Sequence, residues 1–130
     1  MTAAAADPAL IDSYREWTAN ALAEFGRLLD DWHAGTLPAD AARQRLFEIG
    51  HNIKGMGASF GYPLMSDAGA LLCSYLKLKP GDPRERAVLE ALHNGLQAIL
   101  ALTPEQQTPA MAARLVTPLR LLCDLPDIAI

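Results

Sequence analysis

Proline and glycine divide this chain into blocks of similar size, and each block is patterned for a helix. Asp7-Pro8, Gly35, Pro38, Gly61 with Pro63, and Pro80-Gly81 stand at the boundaries. Proline fits the first turn of a helix but not its interior, and glycine closes a helix end in the left-handed conformation at little steric cost. Inside the blocks Ala and Leu dominate, Val is scarce and Ile is thinly spread, so strand formation is disfavoured. The connections between blocks are short, which makes neighbouring helices antiparallel.

The first helix opens at Asp7-Pro8, with Asp7 able to cap it, and Gly35 ends it. Leu10, Tyr14, Trp17, Ala21, Phe25, Leu28 and Trp32 recur at steps of three and four and form its expected core stripe. The second helix is expected from near Pro38 to about Phe60, and the third from Pro63 to about Lys79. Leu64, Ala68, Leu71, Leu72, Tyr75 and Leu76 lie on the inner side of the third. Asp82-Pro83-Arg84-Glu85 reads as a capping box for a fourth, which turns Leu89, Leu92, Leu96 and Ile99 inward. Thr103-Pro104 and Thr108-Pro109 are further helix starts, and Pro118 should kink or interrupt the last helical stretch. Met111, Leu115, Leu119 and Leu122 give that tail an apolar stripe to pack on the bundle. The expected fold is therefore all-α: an antiparallel up-down four-helix bundle over about residues 8–102 with a short C-terminal helical extension over about 103–130, together one domain.

Composition excludes several classes. Half of the residues are hydrophobic (51%) and 20% are charged, which is unlike a disordered acidic tail. The formal net charge of −4 lacks the basic footprint of a nucleic-acid binder. Met1 to Ala6 carries no positive n-region, and no run approaches the roughly 18 apolar residues that span a bilayer. Two cysteines, Cys73 and Cys123, fit neither a disulfide framework nor a zinc site and suit a reducing cytoplasm. There is no GxxxxGK[ST] loop and no room beside a core for a nucleotide-binding domain, so a self-sufficient kinase is excluded.

The second helix carries the chemical signal. On a wheel of about 100° per residue, Leu46, Ile49, Ile53, Met56 and Phe60 form one arc, and His51 falls roughly 170° from its centre. His51 should thus face solvent in mid-helix. Gln44, Phe47, Glu48, Lys54, Gly55 and Ala58 share its side. Gly55 and Gly57 sit inside a helix, where each costs up to about 1 kcal/mol relative to Ala. Gly55 bares the surface one turn after His51, whereas Gly57, nearer the core arc, suits close packing. Lys54 can reach back to place a positive charge near the imidazole. A bare patch, a cation, a nucleophilic ring and the apolar Phe47 together read as a docking surface for something anionic.

His51-Asn52-Ile53-Lys54-Gly55, followed by Gly61, resembles the HxxKGxxxxxG signature of histidine-containing phosphotransfer (HPt) domains. The resemblance implies that His51 is phosphorylated, exchanging the group with an aspartyl-phosphate on a response-regulator receiver domain. It implies that Lys54 stabilises phosphoryl charge, that Gly55 gives steric clearance, and that Gly61 closes the helix. Gln44, Phe47, Glu48 and Ala58 would form the receiver-docking face. The implied protein is a cytoplasmic, monomeric phosphocarrier with no cofactor of its own, Mg²⁺ coming from the partner, which is a receiver domain or a hybrid histidine kinase. Some family members hold the histidine with a glutamine on the next helix. Counting without gaps places Cys73 or Ser74 there, leaving Glu48 or no specific group to orient the ring.

Other readings are weaker on the residues. Glu48 and His51, and Glu90 and His93, have the Glu-x-x-His spacing of bundle metal sites, but the first pair faces outward and inward carboxylates are few. His33 suits a helix end and His93 a boundary position. Asp40, Arg43 and Arg45 read as a solvated face. An interaction module whose His51 is never phosphorylated, and a dimeric kinase-like phosphotransferase, remain as rivals.

Overall fold

In the computed structural model of the chain, residues 7–126 are described. The ends of the domain expected from the sequence, Met1–Ala6 and residues 127–130, lie outside them. The described residues form six α-helices and no strand: α1 (Pro8–His33), α2 (Ala39–Met56), α3 (Pro63–Leu78), α4 (Glu85–Leu100), α5 (Pro109–Leu115) and α6 (Thr117–Cys123). Single 3₁₀ turns stand at Ala58–Phe60 and Pro104–Gln106.

The punctuation acts as its chemistry dictates. Asp7 accepts the Ala9 N–H at 2.8 Å and Pro8 takes the first helical position. Gly35, Gly61 and Gly81 all adopt left-handed φ values, of 81°, 85° and 76°. Thr103-Pro104 and Thr108-Pro109 both start helical turns. Pro118 sits in the first turn of α6, so the last helical stretch is interrupted there, as expected, and a new helix opens.

α1 packs on α2 and α4, and α3 completes the ring by packing on the same two helices. Glu24 of α1 meets Arg45 of α2, and Tyr14 of α1 stacks on Phe60 in the 3₁₀ turn after α2, 4.9 Å between ring centroids. The core runs through Phe25, Leu46, Ile53, Leu72, Tyr75, Leu89, Leu92 and Leu96. α6 lies against α3 and α4, with Leu119 seated where Gly95 has no side chain.

Four sequence expectations need correction. The buried stripe of α1 is Tyr14, Thr18, Leu22, Phe25 and Leu29. Trp17 (38% exposed) and Leu10 (55%) lie outside it, while Ala21, Leu28 and Trp32 are half-buried. The difference comes from Thr18, which is buried because its hydroxyl donates to the Tyr14 carbonyl of its own helix at 2.7 Å. The second helix stops at Met56, not Phe60, since Tyr62 N–H turns back to the Gly57 carbonyl at 2.8 Å. Met56 and Phe60 are accordingly only half-buried. Asp82 and Glu85 form no capping box: Asp82 accepts the Tyr75 hydroxyl at 2.6 Å, and Glu85 is drawn into a two-point pair with Arg43, both contacts 2.7 Å. Arg43, expected on a solvated face, therefore bridges α2 to α4 and covers the Trp32 ring of α1 at 5.3 Å.

Candidate functional site

α2 is pressed against α3 by glycines on both sides. A Cβ on Gly50 would come within 2.9 Å of the Leu72 side chain and 3.1 Å of Cys73 Sγ. One on Gly69 would meet the Lys54 backbone nitrogen at 2.8 Å and the Gly50 carbonyl at 3.0 Å. The two backbones thus approach as closely as glycine permits. Gly57 is the close-packing glycine expected from its place near the core arc, with the Tyr62 carbonyl and Ser66 Oγ both 2.7 Å from where its Cβ would stand. Ser66 Oγ in turn accepts the Ala58 N–H at 2.9 Å. Hydrophobic periodicity has no term for glycine, so Gly50 and Gly69 carry no signal in the sequence.

With its inner face fixed this way, α2 turns His51 outward. The ring is exposed and, among the described residues, has no hydrogen-bond partner. Phe47, one turn earlier and 37% exposed, lies nearly parallel to it, with ring centroids 6.5 Å apart and planes 9° apart. Arg45, Phe47, Glu48, His51 and Asn52 line a shallow hollow of about 310 Å³. A second hollow of about 270 Å³ lies between α1 and α2, where Trp17, Asn20 and Glu24 meet Arg45, Ile49 and Asn52. Arg45 and Asn52 belong to both and form the ridge between them.

The other expected site residues are on the surface but outside these hollows. Gln44, Lys54, Gly55 and Ala58 are all exposed. Lys54 makes no ion pair among the described residues, so its charge is unspent. Gly55 has nothing within 4 Å of where a Cβ would stand, the opposite of Gly50, Gly57 and Gly69. Gly61, left-handed, makes the turn into Tyr62 and α3.

Glu48 does not orient the ring. It accepts from Arg45 at 3.0 Å, while Arg45 grips Glu24 of α1 at 2.6 and 2.8 Å. The hydrogen bonds from Arg45 hold the Glu24 carboxyl below the usual carboxylate range. Cys73, one of the two residues that counting puts at the glutamine position, is buried and directs its thiol to the Phe47 carbonyl at 3.7 Å. Burial pushes that thiol above its ordinary range, and the nearby Lys54 charge partly offsets the shift.

The remaining histidines stand apart. His33 ends α1, half-buried beside Trp32. His93 faces α1 from α4, its Nε2 2.8 Å from the Leu22 carbonyl and its ring 4.9 Å from that of Phe25. Among the described residues, no group of three or more His, Cys, Asp or Glu side chains is placed to hold a metal ion, and no helix is long and apolar enough to cross a membrane.

An unpartnered imidazole on an exposed helix face, beside open space and a free cation, can act as a nucleophile toward an anionic group brought by another molecule. No curated protein and no solved structure matches the chain significantly. A family model does: the Hpt domain, over residues 9–102, from the start of α1 to just beyond α4. Hpt domains are phosphocarriers that act in phosphorelays with receiver domains and histidine kinases. The match covers more than half of the sequence and contains the helix that presents His51; the chain belongs to the Hpt domain family.

Proposed function

We propose that His51 accepts a phosphoryl group from a receiver-domain aspartyl-phosphate and passes it to another response regulator, or relays it from a hybrid histidine kinase. One observation carries this reading: the His51 ring stands exposed and unpartnered on α2, one turn from a glycine with empty space around it. The lone pair of an imidazole nitrogen attacks phosphorus as the bond from phosphorus to the aspartate oxygen breaks. That electron pair returns to the carboxylate, and the proton on the second ring nitrogen exchanges with solvent. Such a transfer asks for in-line positioning and charge neutralisation and little else. Lys54 supplies one charge from this chain, and Mg²⁺ held by the acidic site of the receiver supplies more. Gly55 leaves room for the phosphoryl group and for the approaching partner.

The docking face in this reading is Gln44, Phe47 and Glu48 on α2 and Ala58 in the turn that follows it, joined by Trp17 of α1. The fold behind it is an antiparallel up-down four-helix bundle over about residues 8–102, with residues 103–130 as an extension of the same domain. The protein works as a cytoplasmic monomer without an ATP site or resident cofactor.

The test is phosphoryl transfer from a panel of phosphorylated receiver domains to wild type and His51→Gln, with light scattering for the oligomeric state. A receiver should label wild type and not the variant, and the protein should be a monomer in solution. A receiver that binds but never transfers would instead identify an interaction module, and a dimer would favour the kinase-like alternative.

A further inference from the structure

We propose that Arg45 is a positioning residue for phosphoryl transfer: braced by Glu24 of α1, it binds the Glu48 carboxylate and keeps a free negative charge off the face where the phosphoryl group arrives. The inference rests on His51 being the acceptor. Glu48 precedes His51 by three residues and lines the same hollow of about 310 Å³, and side chains at that spacing are neighbours on a helix. A free carboxylate there would repel an incoming phosphoryl group. It would also stabilise the protonated imidazole, which has no lone pair to attack with.

Arg45 blocks both outcomes. Its Nε and one terminal nitrogen hold the two Glu24 oxygens at 2.6 and 2.8 Å, and the other terminal nitrogen donates to Glu48 at 3.0 Å. The two-point grip fixes the plane of the guanidinium, so the third contact has a set direction. Among the described residues, Glu24, Arg27, Arg45 and Glu48 are the charged side chains lining the two hollows. Lys54 follows on α2 outside both hollows, and α3 presents Gly69, Leu72 and Cys73 to the helix, all uncharged. All three partners of the clamp are partly exposed, and ion pairs of that kind contribute little to folding. The effect of the clamp is therefore on the field at His51 rather than on stability.

The experiment compares wild type, Arg45→Gln, Glu48→Gln and the double variant. Transfer from a phosphorylated receiver is followed at low and high salt, and the His51 ring is titrated by NMR in the same proteins. Arg45→Gln should slow transfer roughly five-fold at low salt, the size expected for one unmasked charge near the surface. The gap should close as salt screens it. The His51 pKa should rise in Arg45→Gln, because the freed carboxylate favours the imidazolium. Compared with Glu48→Gln alone, whatever rate that docking-face variant itself shows, the double variant should have neither slower transfer nor a higher His51 pKa. Wild-type behaviour of Arg45→Gln, or an Arg45→Gln effect of undiminished size in the Glu48→Gln background, overturns the clamp. If wild type itself takes no label, the functional reading fails, and the titration alone decides whether Arg45 masks Glu48.

Discussion

Replacing Gly55 with alanine should make the protein more stable and worse at its task. Gly55 lies in the last turn of α2, and its φ is not in the left-handed region. A methyl group there meets no atom within 4 Å, so no clash subtracts from the gain in helix propensity. An interior Gly→Ala change is worth about 0.8–1 kcal/mol, and a position one residue from the helix end retains about 0.5–1 kcal/mol of it. For a domain of this size, that raises the melting temperature by roughly 2–5 °C. The same methyl group occupies the clear surface one turn beyond His51, so phosphoryl transfer should slow while the fold tightens. Denaturant unfolding with a fixed slope gives the first quantity, and single-turnover transfer from a phosphorylated receiver gives the second. A destabilised Gly55→Ala would mean that the glycine serves packing. A stabilised variant with wild-type transfer would mean that clearance beside His51 has no part in the reaction.

Gly69→Ala should show the reverse balance: overpacking against the Lys54 backbone costs about 1–3 kcal/mol and propensity returns about 1, a net loss of up to about 2 kcal/mol in urea melts. Arg43→Ala strands the Glu85 carboxylate, whose side chain is only 10% exposed, and should cost about 2–3 kcal/mol. An Arg43→Met, Glu85→Leu double variant should recover most of that loss, and failure to recover would mean that the pair itself is needed. Burial pushes the Cys123 thiol from 9.0 up to about 11 and the Tyr14 phenol from 10.0 up to about 12. Both groups have folded values above their unfolded ones, so their stabilisation is complete below about pH 9 and is lost as pH rises toward 11–12. The thiol accounts for about 3 kcal/mol of this, and Cys123→Ala should flatten the alkaline limb of a stability–pH curve; an unchanged limb would assign it elsewhere.

The positions of the helices were readable because proline and glycine act locally, and the inner faces of α3 and α4 because nearly every apolar residue on them is buried. The outward direction of His51 followed from the same geometry, as did the contrast between open Gly55 and crowded Gly57. The rest depended on contacts that no periodicity encodes. Thr18 enters the core by bonding its own helix, and so displaces Trp17 from a stripe that hydrophobicity alone would give it. Glu85 answers to an arginine 42 residues away instead of to its own N-terminus. Glu48 is engaged by Arg45, and Arg45 by Glu24 on another helix. The close approach at Gly50 and Gly69 is set by absent side chains, which leave no mark on a hydrophobic wheel.

The measurement closest to the central claim is to map the phosphoryl group after incubation with a phosphorylated receiver domain. A single label should stand on the His51 ring, lost in acid, stable in alkali and absent from His51→Gln. Label on His33, His93 or any carboxylate, or label that survives the His51→Gln substitution, would contradict it.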